Sequence, residues 1–550
     1  MPERKANLLI PAVGAAVLVV GTVAAYRYFQ GPSGDSSGAL GSAKLVPSTA
    51  VMATYITTDP QAWAKLSEFG TPEAQKLVAK GLEDFQPNFL NAGNISYEQD
   101  LKPWVGGVMV AVLPPNATNS ATNVQPESNI LMVVGIKDKL KALNFTNKFK
   151  SQKGVKVEEY DYKGEKITAV TENGKLTYSA VLNNNHLVLA QSKPSVEKAI
   201  ETSKGQPSFA SKEAAKTILT TNADVKNILA QVYIPDYGVM MQQLVATSPQ
   251  ARQLPPQTLK QFQQVKSIVA RVGVDDQGVR MRAIANLDPQ LNKFEYKASP
   301  AKIVSQLPVD TFALMTGNGI NRSWSSIVEQ SQDDPAFNQI LQQVRGQLKF
   351  VNIDLDKDVF GWMDREFAFG AVPSNQGVLA NLGVGGAILL ETSDRQTATA
   401  TLSKLDNLAK IQQINVAKRN IDGKDVTEWQ IPGQGALLSH GWLNQDTVFL
   451  TLGGSVAEAI ATNNTPKLDS SDTFKAVTNS LKKPNAGYFY IDAEKTASLV
   501  NRFITQGQPL PSEANTVLSA IHGFGVTATS PDKSTGQLEM LLALKPKTTK

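Results

Sequence analysis

The sequence predicts an α+β protein with an N-terminal transmembrane helix followed by two tandem, related α+β units, whose sheets are mostly antiparallel with helices packed on one face. Three observations carry this prediction. Residues 8–26 form a long apolar run, strand-like segments beyond residue 45 are joined by hairpin signals, and landmarks of the first half recur in the same order in the second half. Helices occur in clusters between the strands, which distinguishes the pattern from strictly alternating α/β folds.

Size and composition are those of an ordinary globular chain. With 550 residues, 42% of them hydrophobic and 19% charged, it is long enough for two or more domains with full cores. The formal net charge is only +5, and no Lys/Arg cluster is interleaved with aromatic residues. We therefore expect no nucleic-acid partner.

The cysteine and histidine content excludes several chemistries. The chain has no cysteine, which removes disulfides, thiol nucleophiles and cysteine-based zinc sites and is compatible with export from the cytoplasm. Its three histidines, His186, His440 and His522, are scattered without metal-ligand spacing. We expect no metal site and no cofactor.

Residues 1–29 are predicted to form a cytoplasmic stub and a transmembrane anchor. The run from 8 to 26 has about 19 residues without a charge, which as a helix spans about 30 Å, the thickness of a bilayer core. Arg4 and Lys5 precede it, so the positive-inside rule places the N-terminus in the cytoplasm and the remaining chain outside. A cleaved signal peptide is the competing interpretation, but the run ends in Tyr-Arg-Tyr-Phe instead of a small-residue cleavage site.

Residues 30–44 are rich in Gly and Ser, which is typical of a flexible linker that holds a folded part away from the membrane. Gly34–Gly38 matches the G-x-S-x-G pattern of a hydrolase nucleophile elbow. That elbow requires a strand before it and a helix after it, and a linker offers neither. We interpret the match as a chance one.

The first repeat unit is predicted over residues 45–298. Period-2 patterns and turn signals such as Asn173-Gly174 place its strands at 51–57, 107–113, 129–136, 155–162, 165–171, 175–182, 186–190, 228–233, 266–274 and 279–286. Apolar periodicity and capping residues place helices at 61–69, from 72 onward, and at 137–150, 195–202, 212–220, 237–244 and 257–264.

The second repeat unit is predicted over residues 299–550, because landmarks recur roughly 250–260 positions later in unchanged order. The recurring pairs are 46–54 with 307–315, 100–104 with 358–362, 129–136 with 386–391, 182–201 with 443–461, and 231–235 with 488–492. In the strand–turn–helix at 182–201 and 443–461 the turn residues change while the apolar strand and helix faces persist. This favours a packing unit over a phosphate-binding turn.

The sharpest shared signature is Asp-x-x-x-Trp, at Asp100 and Trp104 and again at Asp358 and Trp362. We predict a structural role, in which each indole is buried against the sheet and the aspartate caps the preceding turn. The alternative is that the tryptophans belong to a binding surface.

Other motifs with possible chemistry are incomplete. Asp354, Asp356 and Asp358 resemble the start of an EF-hand loop, but Val359 and Arg365 stand where that loop requires Gly and Glu, and only another kind of loop calcium site stays open. No glycine-rich phosphate loop is complete.

For hydrolase chemistry, Ser439-His440 is the single pair of neighbouring Ser and His residues. Adjacent residues of a strand point to opposite faces, so these two cannot form a catalytic dyad. We therefore expect no enzymatic activity.

Three segments resemble a known family, namely LVPSTAVMATYITTDPQAW (45–63), DLKPWVGG (100–107) and LVLAQSKPSVEKAI (187–200), together with their second-half counterparts. They are similar to the cyanobacterial domain-of-unknown-function family DUF3352. The resemblance implies an N-terminal span, a polar tether, a repeated segment, and anchoring in the plasma or thylakoid membrane with the bulk in periplasm or lumen. It brings no catalytic residues to carry over.

The expected function is that of a single-pass, membrane-anchored, non-enzymatic protein with a scaffold, assembly or envelope-organising role. Its expected partners are the membrane, through the N-terminal helix, and membrane-protein complexes or further copies of itself. The alternative is a binding module for a lipid, pigment or peptide in a groove of the repeat units; an exported hydrolase is a third possibility. A closed apolar pocket above about 300 Å³ would favour the binding module, whereas a flat apolar patch would favour the scaffold.

Overall fold

The computed structural model describes residues 38–547, apart from 84–96, 115–128, 151–154, 173–174, 213–224, 248–261, 293–295, 333, 377–378 and 504–510. The predicted span at 8–26, the first part of the linker and the Asn173-Gly174 turn lie outside the described residues. None of the helices that are described combines the length and the apolarity needed to cross a bilayer.

The chain divides into two compact units. Unit 1 comprises Met1–Leu291 and Pro546–Lys550, and unit 2 comprises Asn292–Lys545. The end of the predicted linker belongs to the core of unit 1, because Ala39–Ala43 form a short helix in which Ser42 and Ala43 have no exposed surface. Small side chains allow this helix to pack closely.

In unit 1, the described residues form an antiparallel sheet in the order β4-β5-β6-β7-β3-β2-β1-β8-β9-β10. Its strands are β1 (Met52–Ile56), β2 (Val105–Val112), β3 (Ile130–Ile136), β4 (Lys156–Tyr162), β5 (Glu165–Glu172), β6 (Lys175–Leu182), β7 (His186–Ala190), β8 (Ile228–Ile234), β9 (Val265–Asp275) and β10 (Gly278–Leu287).

In unit 2, the described residues form an antiparallel sheet in the order β14-β15-β16-β17-β13-β12-β11-β18-β19-β20, which is the order of unit 1 position for position. Its strands are β11 (Ala313–Asn318), β12 (Glu366–Pro373), β13 (Val384–Glu391), β14 (Asn415–Ile421), β15 (Lys424–Ile431), β16 (Gly435–Trp442), β17 (Thr447–Leu452), β18 (Tyr488–Asp492), β19 (Ile521–Asp532) and β20 (Thr535–Leu544).

The α-helices also follow similar positions in the two units. The described helices of unit 1 are α1 (Ala39–Ala43), α2 (Pro60–Ala64), α3 (Pro72–Glu83), α4 (Lys139–Lys150), α5 (Lys193–Ser203) and α6 (Tyr237–Thr247). Those of unit 2 are α7 (Ile320–Ser331), α8 (Pro335–Phe350), α9 (Arg395–Ile411), α10 (Gly454–Ala461), α11 (Asp472–Thr478), α12 (Ala493–Phe503) and α13 (Ser512–Ser519).

The prediction of an α+β fold with antiparallel sheets is confirmed, but the placement of helices on one face is wrong. In unit 2, Leu389 packs with α10 on one face of the sheet, whereas the next residue, Leu390, packs with Leu402 of α9 on the other. In unit 1, Val133 and Val134 likewise belong to different clusters, with α5 and α4 respectively. Successive strand residues point to opposite faces, so strands that are apolar at every position require cover on both sides.

The two faces of each sheet differ in what packs on them, and we call them the core face and the Trp face. The core face carries Val133 in unit 1 and Leu389 in unit 2, and it holds the largest buried cluster of each unit. The Trp face carries Val134 in unit 1 and Leu390 in unit 2, and it packs against Trp104 or Trp362. The recurring strand–turn–helix motifs lie on the core face, where Val196 of α5 and Val456 of α10 have no exposed surface.

Candidate functional site

In unit 1 the Asp-x-x-x-Trp signature forms a single turn that leads into β2. Residues Tyr97–Leu101 form one turn of π-helix, and the Trp104 indole N–H donates to the backbone carbonyl of Asp100 at 2.7 Å. The Asp100 carboxylate pairs with Lys148 Nζ of α4 at 2.5 Å. Trp104 is 4% exposed, and its ring lies 5.4 Å from that of Phe145.

Unit 2 repeats this arrangement with the same partners. The turn is the π-helical segment Leu355–Gly361, and the Trp362 indole N–H donates to the carbonyl of Asp358 at 2.8 Å. The Asp358 carboxylate pairs with Lys404 of α9 at 2.6 Å, and Trp362 is 4% exposed. In both units the indole therefore has a backbone acceptor and an apolar environment, and the aspartate has a lysine from the next helix.

A groove of about 350 Å³ lies beside the unit 1 signature. It is an open depression, and Trp104 and Phe145 form its apolar part. Its polar rim consists of Gln99, Asp100, Lys141, Asn144 and Lys148.

The acidic run in the unit 2 turn is occupied by protein donors. Asp354 accepts the backbone N–H groups of Asp356 and Lys357 at 3.0 Å each. The Asp356 carboxylate accepts from Arg345 at 2.8 Å and from the Trp324 indole at 2.7 Å. Three carboxylates that are close in sequence thus face three different sets of donors. Across the part of the chain that the structure describes, no group of three His, Asp or Glu side chains could hold a metal ion.

Ser439 and His440 lie on opposite faces of β16, with Ser439 opposite Thr451 and His440 opposite Leu450. His440 Nε2 lies 2.8 Å from Asp406 Oδ1. The Trp429 indole donates to the same oxygen at 2.7 Å. No sequence spacing indicated this buried cluster, because Asp406 comes from α9, and its contacts are those of a packing network.

A buried carboxylate fixes the start of unit 2. Glu366 is 3% exposed and accepts the Ser299 hydroxyl, the Ala301 backbone N–H at 2.5 Å and the Ile303 backbone N–H at 3.2 Å. Burial raises the pKa of Glu391, and the neighbouring charge of Glu366 raises it further. Charged acceptors make stronger hydrogen bonds than neutral ones, so this contact anchors the segment that leads into β11.

In unit 1 the position that corresponds to Glu366 is Gly107. The Tyr55 side chain lies against that glycine, so closely that a Cβ there would overlap the tyrosine hydroxyl oxygen. Burial raises the pKa of Tyr55 to about 12. One unit therefore fills this part of its core face with a tyrosine ring, and the other uses a carboxylate.

The Trp face of unit 2 has an exposed apolar patch, which we define by Met315, Phe369 and Phe489. Met315 lies directly opposite Phe369 on one side and Phe489 on the other, so the three side chains form a row across β12, β11 and β18. Met315 is 46% exposed and Phe489 is 41% exposed. The row continues through Ile388 and Leu450 beneath α9. The patch is thus the uncovered end of a continuous apolar row.

The same row in unit 1 is less exposed. Thr54 lies between Val110 and Val232, in the position that Met315 has in unit 2. Val232 is 6% exposed and packs with Tyr237 and Met240 of α6. Motif searching missed the unit 2 patch because it contains no titratable group. The available signal was that Met315 stands at the position where unit 1 has Thr54.

Comparison with known proteins gives one informative match. The family described as "Protein of unknown function (DUF3352)" matches residues 12–544. Among solved structures, crystal forms III and I of TP0453 match at 12% and 11% identity with TM-scores of 0.26 and 0.27, covering 46% of this chain and 81% of that chain. TM-scores this low carry no argument about this chain. No curated protein matches it.

Proposed function

We propose that this chain, which belongs to the DUF3352 family of proteins of unknown function, is a non-enzymatic, membrane-anchored scaffold. In this role the N-terminal segment 8–26 anchors the chain, the remainder lies in the periplasm or thylakoid lumen, and unit 2 binds an apolar surface of a membrane-associated protein. The single observation that carries the proposal is the apolar row of Met315, Phe369 and Phe489, in which Met315 is 46% exposed and Phe489 is 41% exposed.

The shape and composition of this patch favour a protein partner over a small ligand. Its members lie on a sheet surface and not in a closed cavity, and aromatic and methionine side chains are enriched at the centres of protein interfaces. The ring centroids of Phe489 and Phe524 are 6.5 Å apart, so the patch extends onto β19. A contiguous apolar surface of this kind is typical of an interaction site.

We further propose that the two units arose by tandem duplication. The shared order of ten strands and the shared contacts of Asp100–Trp104 and Asp358–Trp362 support this. After duplication one copy is free to retain the covered row while the other exposes it. The proposal therefore assigns partner binding to unit 2.

The test is a tagged pull-down of the full chain from detergent-solubilised membranes after crosslinking. The variant Met315→Thr/Phe489→Thr removes the patch, keeps good strand-forming residues, and places at 315 the residue that unit 1 has at Thr54. The matched control is Leu382→Thr, since Leu382 is 55% exposed and lies outside the row. We expect the double variant to lose partners that the wild type and control recover equally. Equal recovery by all three would refute docking at this patch.

Membrane topology is tested separately by protease treatment of sealed vesicles. We expect the segment beyond residue 45 to be cleaved only from the periplasmic or lumenal side. Cleavage from the cytoplasmic side would overturn the orientation and leave the docking result unaffected.

A further inference from the structure

The helix that follows the third strand of unit 1 carries two exposed leucines. In α4, Leu140 is 75% exposed and Leu143 is 56% exposed. Three residues of an α-helix span nearly one turn, so the two side chains lie next to each other on the helix surface. Ala142 and Phe145 face the other way and pack in the Trp104 cluster. The two leucines therefore lie outside the apolar clusters on both faces of the unit 1 sheet.

Lysines surround these leucines. Lys139 and Lys141 lie on either side of Leu140 around the helix, Lys137 precedes the helix, and Lys148 lies two turns further on. Among the acids that the structure describes, Asp138 lies 3.6 Å from Lys141 and Asp100 lies 2.5 Å from Lys148.

The lysines are close enough to influence each other. Burial lowers the pKa of Lys137, and the neighbouring charges of Lys102 and Lys141 lower it further. The concentration of positive charge therefore extends from α4 to the turn before Trp104. We define the basic–leucine surface as Leu140, Leu143, Lys137, Lys139 and Lys141.

Unit 2 has no such surface on its matching helix. Asp394 accepts the Thr397 backbone N–H at 2.9 Å just as Asp138 accepts that of Lys141 at 3.0 Å, which aligns α9 with α4. By this alignment, Leu140 and Leu143 correspond to Gln396 and Thr399. Lys137 and Lys141 similarly correspond to Ser393 and Thr397, whereas Lys139 corresponds to Arg395, which lies over the Trp442 ring. Unit 2 thus shows that the fold does not require the two leucines, Lys137 or Lys141.

We propose that the basic–leucine surface binds an anionic lipid bilayer, with Leu140 and Leu143 inserted among the headgroups and the lysines beside the lipid phosphates. Exposed apolar side chains flanked by lysines on one helix are the composition of an interfacial membrane-binding helix. Charge complementarity selects the occupant, because each lysine near an anionic membrane strengthens binding about fivefold. The proposal is independent of the patch in unit 2.

The absence of cysteine permits a local test in the full chain. Asn147→Cys places a fluorophore on the exposed side of α4 next to the leucines, and Ser403→Cys places it at the corresponding site of α9. Each labelled protein is reconstituted into phosphatidylcholine vesicles with or without phosphatidylglycerol, and quenching by a spin label on the lipid acyl chains is measured. A local readout is needed because the whole chain is held in the vesicles by its N-terminal segment under the proposed topology.

We expect quenching at position 147 to be about threefold stronger with the anionic lipid than without it, and quenching at position 403 to be weak in both. Adding Leu140→Gln, Lys139→Gln and Lys141→Thr should reduce the signal at 147 to that at 403, with the thermal unfolding temperature unchanged. Equal quenching at both positions, or no dependence on phosphatidylglycerol, would overturn the proposal. In a parallel sample, a detergent extract of membranes replaces the vesicles, and a water-soluble quencher replaces the lipid quencher. If the extract protects the fluorophore at 147 from the water-soluble quencher while the lipid quencher has no effect in vesicles, the surface binds a protein and the proposal is overturned.

Discussion

Units 1 and 2 have the same strand order and differ in which apolar side chains they expose. Both have ten described strands in the same order, and both pin a tryptophan N–H to the carbonyl four residues earlier. In unit 1, Val232 is buried against α6, and Leu140 and Leu143 are exposed on α4. In unit 2, the matching helix α9 has Gln396 and Thr399 in place of those leucines, and Met315 and Phe489 are exposed on the sheet. The shared interior specifies the fold, and the surfaces carry whatever the two units do differently.

The contrast also reaches the core faces. Tyr55 packs over Gly107 in unit 1, while Glu366 takes the corresponding position in unit 2 and holds Ser299, Ala301 and Ile303. The Glu366 arrangement satisfies the requirement that a buried polar group has partners. The choice decides how strongly the segment entering each unit is held.

Replacing the tryptophans should cause the largest loss of stability. If Trp104 and Trp362 have the same structural role, the loss should be equal in the two units. Trp104→Ala and Trp362→Ala each remove a buried indole and should lower the free energy of unfolding of their own unit by about 3–5 kcal/mol. Urea titrations monitored by unit-specific fluorescent labels would measure this. A much smaller loss in one unit than in the other would show that the two tryptophans do not have the same structural role.

Removing the Glu366 carboxylate should destabilise unit 2 and leave unit 1 unchanged. Glu366→Ala leaves two buried backbone N–H groups and a hydroxyl without their acceptor, so the free energy of unfolding of unit 2 should fall by about 2–3 kcal/mol. Unit 1 should be unaffected. Glu494→Ala, at a carboxylate that is 81% exposed, is the control and should change little. Hydrogen exchange of the Ala301 and Ile303 amides would locate the loss.

The Asp358 contact should make the stability of unit 2 depend on acid pH. A backbone hydrogen bond from Asp354, followed by Lys404, lowers the pKa of Asp358. A lowered folded-state pKa gives stability that is present above the unfolded value of about 3.9 and is lost as the pH falls through the folded value.

We therefore expect Asp358→Asn to lower the free energy of unfolding by up to about 1 kcal/mol at pH 7, and this difference from the wild type to shrink as the pH falls below about 3.9. Urea titrations across that range measure the gap between variant and wild type. A gap that stays constant with pH would mean that the charge of Asp358 has no role in stability.

The exposed patch should contribute least to stability. Met315→Thr/Phe489→Thr changes side chains that are 46% and 41% exposed, so the free energy of unfolding should change by less than about 0.5 kcal/mol per site. Thermal unfolding of the purified protein checks this. A large loss would mean that the patch is part of the folded core and would remove the basis for partner binding.

Much of the architecture was predictable because it rests on local patterns. Strand and hairpin positions, the antiparallel sheets and the recurrence of Asp-x-x-x-Trp follow from apolar alternation and turn residues along the chain. Helices on both faces were also indicated, since 129–136 is apolar at nearly every position, but the expectation of one covered face ignored that signal. The predicted role of the tryptophans gained its geometry, an indole N–H bonded to its own turn, from the structure.

The sequence by itself determined which side of each element is apolar, because apolar residues that recur with a period of two or of 3.6 fall on one side of a strand or helix. Only the tertiary structure decided which apolar residues remained uncovered. Leu140 and Met315 look like any core residues in their own segments, and their exposure depends on elements far away in the chain. Whether a helix such as α6 or α12 covers a given row is settled by packing between distant segments, which no local pattern records.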